Sequence, residues 1–196
     1  MKVTKKNFCV FSLLMVCLFH LQTITAERKI SNQVDSTKVL SEGAICPNFQ
    51  FVDFDDVKMS LSSLRGKYVF IDVWASWCYP CRKEYPYLKE LEAKMKDCNI
   101  VFLGISIDQT SWRWKGAITG IQMTGLQWLD QSGAFGKSFG IDRIPRFILI
   151  APNGKVVNNN MTRPSNPNTE IYLKKLRDIK QKKQTKRIIN HVENFN

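Results

Sequence analysis

The chain has 196 residues, 44% of them hydrophobic, and a formal net charge of +12. That is enough for one globular domain with extensions, and its composition excludes low-complexity and fibrous classes. The charge does not mark a nucleic-acid binder: three lysines fall in the first six residues and eight basic residues lie beyond Leu173 against Asp178 and Glu193, which leaves the middle close to neutral and without a nucleic-acid-binding motif.

In chain order, Lys2, Lys5 and Lys6 precede an apolar run from Phe8 to Phe19, and small and polar residues follow to Ala26. This order predicts an export signal over 1–26, cleaved after Ala26. The run is short of the ~20 residues a spanning helix needs, which stands against the alternative of an uncleaved membrane anchor. Residues 27–43 are polar and unpatterned, a linker. "NFQFVDFDDVKMSLSSL" alternates around Asp55-Asp56 and predicts two short strands in a hairpin. "KYVFIDVWA", Lys67 to Ala75, is a continuous apolar run with one acid inside it, the pattern of a strand buried on both faces.

Pro80 to Lys96 carries Tyr85, Leu88, Leu91 and Met95 at helical spacing, and "NIVFLGISI", Asn99 to Ile107, is a second apolar strand. A helix between two such strands predicts a β-α-β unit with a parallel pair. A helix-and-loop segment follows, with Trp112, Trp114 and Trp128 assigned to packing. "RFILIAPNGKVV" reads as a strand, a turn at Pro152-Asn153-Gly154 and a return strand, and the polar run "VNNNMTRPSNPN" reads as a loop. Thr169 to Lys180 is predicted as an amphipathic helix with Tyr172, Leu173, Leu176 and Ile179 on one side. Residues 181–196 form a basic tail, read as a solvated end or as a weak contact with an anionic membrane surface.

Removing the signal leaves Cys46, Cys78, Cys81 and Cys98, too few for a disulfide-stapled fold. Three readings compete for Cys78 and Cys81. Against a zinc site, neither Cys46 nor Cys98 has a partner at zinc-site spacing, and His191 is the only histidine after the signal. A purely structural crosslink over so short a loop constrains the unfolded chain little. A cycling dithiol suits the surroundings. Cys78 at a helix start meets exposed N–H groups and the positive dipole end, which favour an exposed thiolate nucleophile, and Cys81 one turn later resolves the mixed disulfide.

"FIDVWASWCYPCRKE" resembles the active-site strand, turn and helix of the thioredoxin superfamily, and the export signal and the glutamate after the motif make the chain similar to its TlpA/ResA-like branch of exported thiol–disulfide proteins. The likeness runs from about Gly43 to Lys180 and takes in "GIDRIPRFILIAPNGKVV". It implies an α/β, thioredoxin-like fold over residues 44–180: a central mixed β-sheet flanked by helices, with the N-terminal β-hairpin as an extension. It implies that Cys78 is the nucleophile, Cys81 the resolving thiol, and Asp72 the buried acid that moves the second cysteine's proton. Elementary electrostatics agrees on Asp72, because a carboxyl inside an apolar strand is desolvated and its pKa rises; the alternative is an acid that reaches water at a strand end. Glu84 matches a glutamate kept near the dithiol, and reads equally as an exposed first-turn acid suited to the helix dipole.

Pro145 matches the superfamily's cis-proline, which faces the cysteines and leaves the backbone of Ile144 to pair with an extended substrate segment. Arg146 departs from the small polar residue common there; it either attracts thiolates and acidic partners or points to solvent. Trp77 is expected to cover the dithiol, Trp74 to sit in the strand core, and Tyr79 to meet substrate and tune the potential. Cys46 and Cys98 read as buried single thiols, with a second disulfide as the alternative. The implied activity is disulfide exchange in exported proteins at the cell envelope, with no cofactor beyond the cysteine pair. The lack of a histidine between the cysteines points to a reductant, and so to a membrane electron donor. The rivals are a peroxiredoxin, which wants Thr or Ser where this chain has Ala75, and a redox-inactive binding module that works through its tail.

Overall fold

The computed structural model describes residues 39–176. The expected signal over 1–26, most of the expected linker, Ile179, Lys180 and the basic tail lie outside the described residues. Among the described residues no helix is long and apolar enough to cross a membrane.

The apolar run after Lys67 forms strand β3 (Tyr68–Trp74), and the run after Asn99 forms β4 (Ile100–Ser106), parallel to it, with helix α1 (Tyr79–Lys94) between them. Every β3 residue after Tyr68 is buried, as continuous apolar runs require when both sheet faces are covered. The predicted hairpin is present as β1 (Gln50–Val52) and β2 (Lys58–Ser60). It is not a loose appendage, because Val52 pairs with Leu129 and joins the hairpin to the main sheet.

The segment after β4 resolves into α2 (Ser111–Ile121), β5 (Leu126–Leu129) and α3 (Ala134–Ser138). Strand β5 departs from the helix-and-loop expectation. Its four residues are too short to show a period, and its strand character comes from pairing with β4 and β1. Strands β6 (Arg146–Ile150) and β7 (Val156–Met161) form the predicted hairpin. Here the polar run is a strand and not a loop as far as Met161, because β7 lies at the sheet edge, where half-exposed asparagines are tolerated. Helix α4 begins at position 167 and is described to 176; it buries Leu173, while Tyr172 is exposed rather than on the packed side.

The sheet order is β2-β1-β5-β4-β3-β6-β7, which leaves β3 and β4 central. One face packs Val69, Ile71, Val73, Leu103 and Ile105 against Phe49, Phe51, Phe135 and Phe139. The other packs Phe70, Phe102 and Phe147 against Tyr85, Leu88 and Leu91 of α1 and Leu173 of α4. Trp114 and Trp128 are buried as expected, whereas Trp112 is 70% exposed, with Arg113 stacked 5.2 Å from its ring centroid. The last linker residues dock on the domain, with Leu40 N–H donating to Ser138 O and Gly43 N–H to Val156 O, both at 2.8 Å.

Cys46 and Cys98 are both free and belong to clusters on opposite sheet faces, so the alternative second disulfide does not form. Cys46 is buried, and that burial pushes its thiol up to about 12 despite the nearby Arg65 guanidinium. Cys98, half-buried rather than fully buried, sits 3.8 Å from the Met95 sulfur.

Gly154 closes the β6–β7 turn at φ +80, and the Arg65 guanidinium occupies the space a side chain there would need. Arg65 and Gly154 also both engage Cys46, the former donating to its carbonyl at 3.3 Å and the latter accepting its N–H at 2.9 Å. Gly154→Ala is expected to lower stability by about 1–2 kcal/mol through left-handed backbone strain, read from the urea unfolding midpoint.

Candidate active site

The two central strands end side by side, and the turn from β3 into α1 crosses that edge. Cys78 is the N-cap of α1, with Pro80 in the first turn, where a missing N–H costs nothing. The Cys81 N–H donates to Cys78 Sγ at 3.2 Å, and Cys78 N–H donates to Ala75 O at 3.0 Å. Cys78 and Cys81 form a disulfide with Cα atoms 5.3 Å apart. Both residues are buried, at 4% and 3% exposure, among Trp74, Ala75, Trp114, Ile118 and Leu129. The expectation of an exposed Cys78 therefore does not describe the disulfide form, because α2 and β5 supply apolar side chains that close against it.

A carboxylate clamp holds the turn. Asp108 accepts from Ser76 N–H at 2.8 Å, Ser76 Oγ at 2.7 Å and Ser106 Oγ at 2.7 Å. Asp108 is buried, and these charge-assisted bonds tie the residue two before Cys78 to the end of β4. Sequence reasoning passed over Asp108, Ser106 and Ser76. The available signal was position: Asp108 lies just past the carboxyl end of a central parallel strand, where α/β sheets build their sites.

Asp72 stands inside β3, 3% exposed, and its Oδ1 has no hydrogen-bond partner among the described residues. The Trp74 indole N–H, two residues along the same strand face, also lacks one. Burial pushes the Asp72 carboxyl up to about 8, and the Glu84 carboxylate adds to the shift. A strand-end acid reaching water is thus not what the fold contains.

Glu84 is 6% exposed, which overturns the exposed first-turn alternative. Its carboxylate accepts from Ser165 N–H at 3.1 Å and Ser165 Oγ at 3.0 Å, and the Arg163 guanidinium lies 3.7 Å away. The two buried acids therefore have unequal environments: Glu84 accepts two hydrogen bonds and pairs with Arg163, while Asp72 Oδ1 has no partner among the described residues.

The Ile144–Pro145 peptide is cis. Ile144 is half-buried and packs against the cluster that contains both cysteines, so the segment before β6 meets the dithiol as expected. Among the described residues, neither backbone polar group of Ile144 is hydrogen-bonded. Arg146 does not point to solvent: its side chain is 16% exposed, pairs with Asp142 at 3.1 Å and donates to Asn159 O at 3.4 Å. That intrachain pairing also offsets the charge expected to attract thiolates. Trp77 is 63% exposed and does not cover the dithiol, a part taken by Trp74 and Trp114. Tyr79 is 58% exposed, with Lys83 Nζ 4.9 Å from its ring centroid.

The Redoxin family matches residues 41–176. The chain is 31% identical over 134 residues to thiol-disulfide oxidoreductase ResA of Bacillus thuringiensis subsp. konkukian, which covers 68% of this chain and 78% of that protein. A crystal structure assigned as a thiol-disulfide oxidoreductase from Bacteroides vulgatus superposes with a TM-score of 0.66 at 32% identity, over 69% of this chain and 96% of that one. A solution structure with the same assignment from that organism gives a TM-score of 0.64 at 39% identity, over 72% and 91%.

The raised pKa of Asp72 makes stability depend on pH. The folded state holds a proton that the unfolded chain, with an ordinary carboxyl of 3.8, releases. This contribution is complete below about 4 and is lost as pH rises through about 8, with a slope of at most about 1.4 kcal/mol per pH unit. Asp72→Asn is expected to flatten that slope and to be favoured over the parent increasingly between about pH 5 and about pH 8. Denaturant unfolding of both oxidised proteins across that range checks it, and parallel curves would contradict it.

Proposed function

The chain belongs to the Redoxin family, and from that membership we infer that it is a thiol–disulfide oxidoreductase whose electrons are carried by Cys78 and Cys81. The observation that carries the reading is the disulfide itself, formed at the start of α1 beside a bare buried carboxyl. No bound cofactor is needed for the chemistry, since the cysteine pair is itself the two-electron carrier.

In the reduced enzyme, Cys78 Sγ attacks one sulfur of a substrate disulfide and the other substrate sulfur leaves with the bonding pair. Cys81 Sγ then attacks Cys78 Sγ, the mixed disulfide breaks, and the substrate departs reduced while the enzyme is oxidised. The Cys81 N–H and the first-turn amides of α1 offset the charge of the Cys78 thiolate. Asp72 takes the Cys81 proton in the second attack and returns it in the reverse step. Glu84 works through Asp72, raising the cost of a second nearby negative charge. Trp77 and Tyr79 are exposed aromatic contacts for substrate at the rim, and Ile144 before Pro145 offers free backbone groups to an extended segment. Arg146 contributes by holding Asp142 and β7 in place rather than as a free cation.

The direction is reducing. Tyr79-Pro80 supplies no cation between the cysteines to stabilise the thiolate beyond what the helix provides. A reductant acting on exported proteins needs a membrane electron donor, and the signal-like order of residues 1–26 supports export to the cell envelope, with a role such as cytochrome c maturation within reach. A contact between the basic tail and anionic lipid is a secondary element of this reading.

Insulin-disulfide reduction by the mature domain tests it. Cys78→Ser is expected to abolish activity, Cys81→Ser to trap mixed disulfides, and deletion of residues 181–196 to leave the rate unchanged. No insulin reduction by the parent domain with any reductant would favour a redox-inactive binding module instead. The pair's reduction potential is expected near the about −270 mV of thioredoxin, and a value near about −120 mV would reverse the direction.

A further inference from the structure

Three strand residues lie in one row across the sheet. Asp72 of β3 is in register with Gly104 of β4, and Gly104 is in register with Gln127 of β5. Register partners in a parallel ladder present their side chains to the same face, so Asp72 and Gln127 share the α1 face with only a glycine between them. The Gln127 amide fills the gap: its Oε1 occupies the space a Cβ on Gly104 would take, with Cδ and Nε2 just behind. A side chain from the far strand is thereby laid across the row toward Asp72.

Both ends of this row are orphaned acceptors. Asp72 Oδ1 and Gln127 Oε1 are buried, and neither has a hydrogen-bond partner among the described residues. The amide's orientation is set from its other end, where Gln127 Nε2 donates to Thr124 O at 3.2 Å. Turning the amide over would set two carbonyl oxygens against each other there. Thr124 is itself anchored, its N–H donating to the Tyr85 hydroxyl of α1 at 2.7 Å. Two buried acceptors that share one face repel unless a hydrogen stands between them.

We propose that Gln127 is a positioning residue that holds Asp72 in its protonated form, with Oε1 accepting the Asp72 O–H directly or through one buried water. This rests on Asp72 acting as the proton carrier for Cys81, the reading given above. Its consequence falls on the half-reaction that regenerates the enzyme. When the donor's thiolate attacks Cys78 Sγ, the Cys78–Cys81 bond breaks and Cys81 Sγ leaves with the electron pair. It needs a proton at that moment, and a neutral Asp72 supplies one. Glu84 of α1 acts on Asp72 through its charge, with Arg163 behind it; the Tyr85 hydroxyl meets Thr124, Glu92 lies against Gly125, and the two cysteines are joined as a disulfide. None of these donates to Asp72 Oδ1.

The sign of one measurement decides the matter. The Asp72 carboxyl is titrated by its carbon resonance in the oxidised protein, with Asp72→Asn identifying the signal. An acceptor fixed toward the acid favours the neutral form, so Gln127→Leu is expected to lower the Asp72 midpoint by about one pH unit. An amide free to turn would instead donate to the carboxylate, and its loss would raise the midpoint. A raised or unchanged midpoint overturns the proposal. Opening of the disulfide by dithiothreitol at pH 8 is expected to slow about fivefold as the protonated fraction falls, after correction for reductant thiolate. A lowered midpoint with no slowing would overturn the proton-delivery role. Gln127→Met removes the same acceptor and serves if the leucine variant does not fold. The titration needs no turnover, so failure of insulin reduction and failure of this contact are read separately.

Discussion

Strand β3 is hydrogen-bonded along both edges, parallel to Ile100–Ser106 on one side and antiparallel to β6 on the other. A strand paired on both sides and covered on both faces has no soft direction in which to move. Whatever it carries stays where the ladder puts it. It carries an aspartate at its centre and feeds the cysteine turn from its end. The buried acid is fixed in that frame, and the sulfurs are tied to it through a turn that Asp108 clamps.

That rigidity has an electrostatic consequence. A carboxyl on a mobile segment would turn toward water; Asp72 cannot, and so relieves its burial by holding a proton. Glu84, also buried, is met by Ser165 and Arg163 from the loop after β7. Another buried carboxylate, Asp108, accepts from two serine hydroxyls and a backbone amide and braces the turn.

Much of this was legible along the chain. Continuous apolar runs marked β3 and β4 because both faces of a central strand are covered, and the spacing of Tyr85, Leu88 and Leu91 marked α1 because one stripe of it is. Strand β5 escaped notice, since Leu126–Leu129 is too short for a period and becomes a strand through its neighbours. The asparagines of β7 read as loop because polarity alone does not separate a loop from an edge strand. Among the tryptophans, Trp74 read correctly as strand core, but local pattern did not separate Trp112, which is exposed, from Trp114, which is buried, and Trp77 is exposed rather than over the dithiol. Adjacent aromatics on a short helix or turn differ only in which way the backbone aims them.

By itself the sequence determined the chemistry on offer: two thiols one turn apart at a helix start, an acid within the preceding strand, and a proline before the last hairpin. These follow from neighbours along the chain, where spacing and dihedral preference fix geometry. The tertiary structure decided how each group is used. Glu84 is buried by Ser165 and Arg163, Arg146 is held by Asp142 and Asn159, Ser76 is held by Asp108, and Gln127 reaches across Gly104. Most of these partners come from distant segments that only the sheet brings together. Burial and compensation of charge are sums over such contacts, so local sequence could name the groups but not their ionisation or orientation.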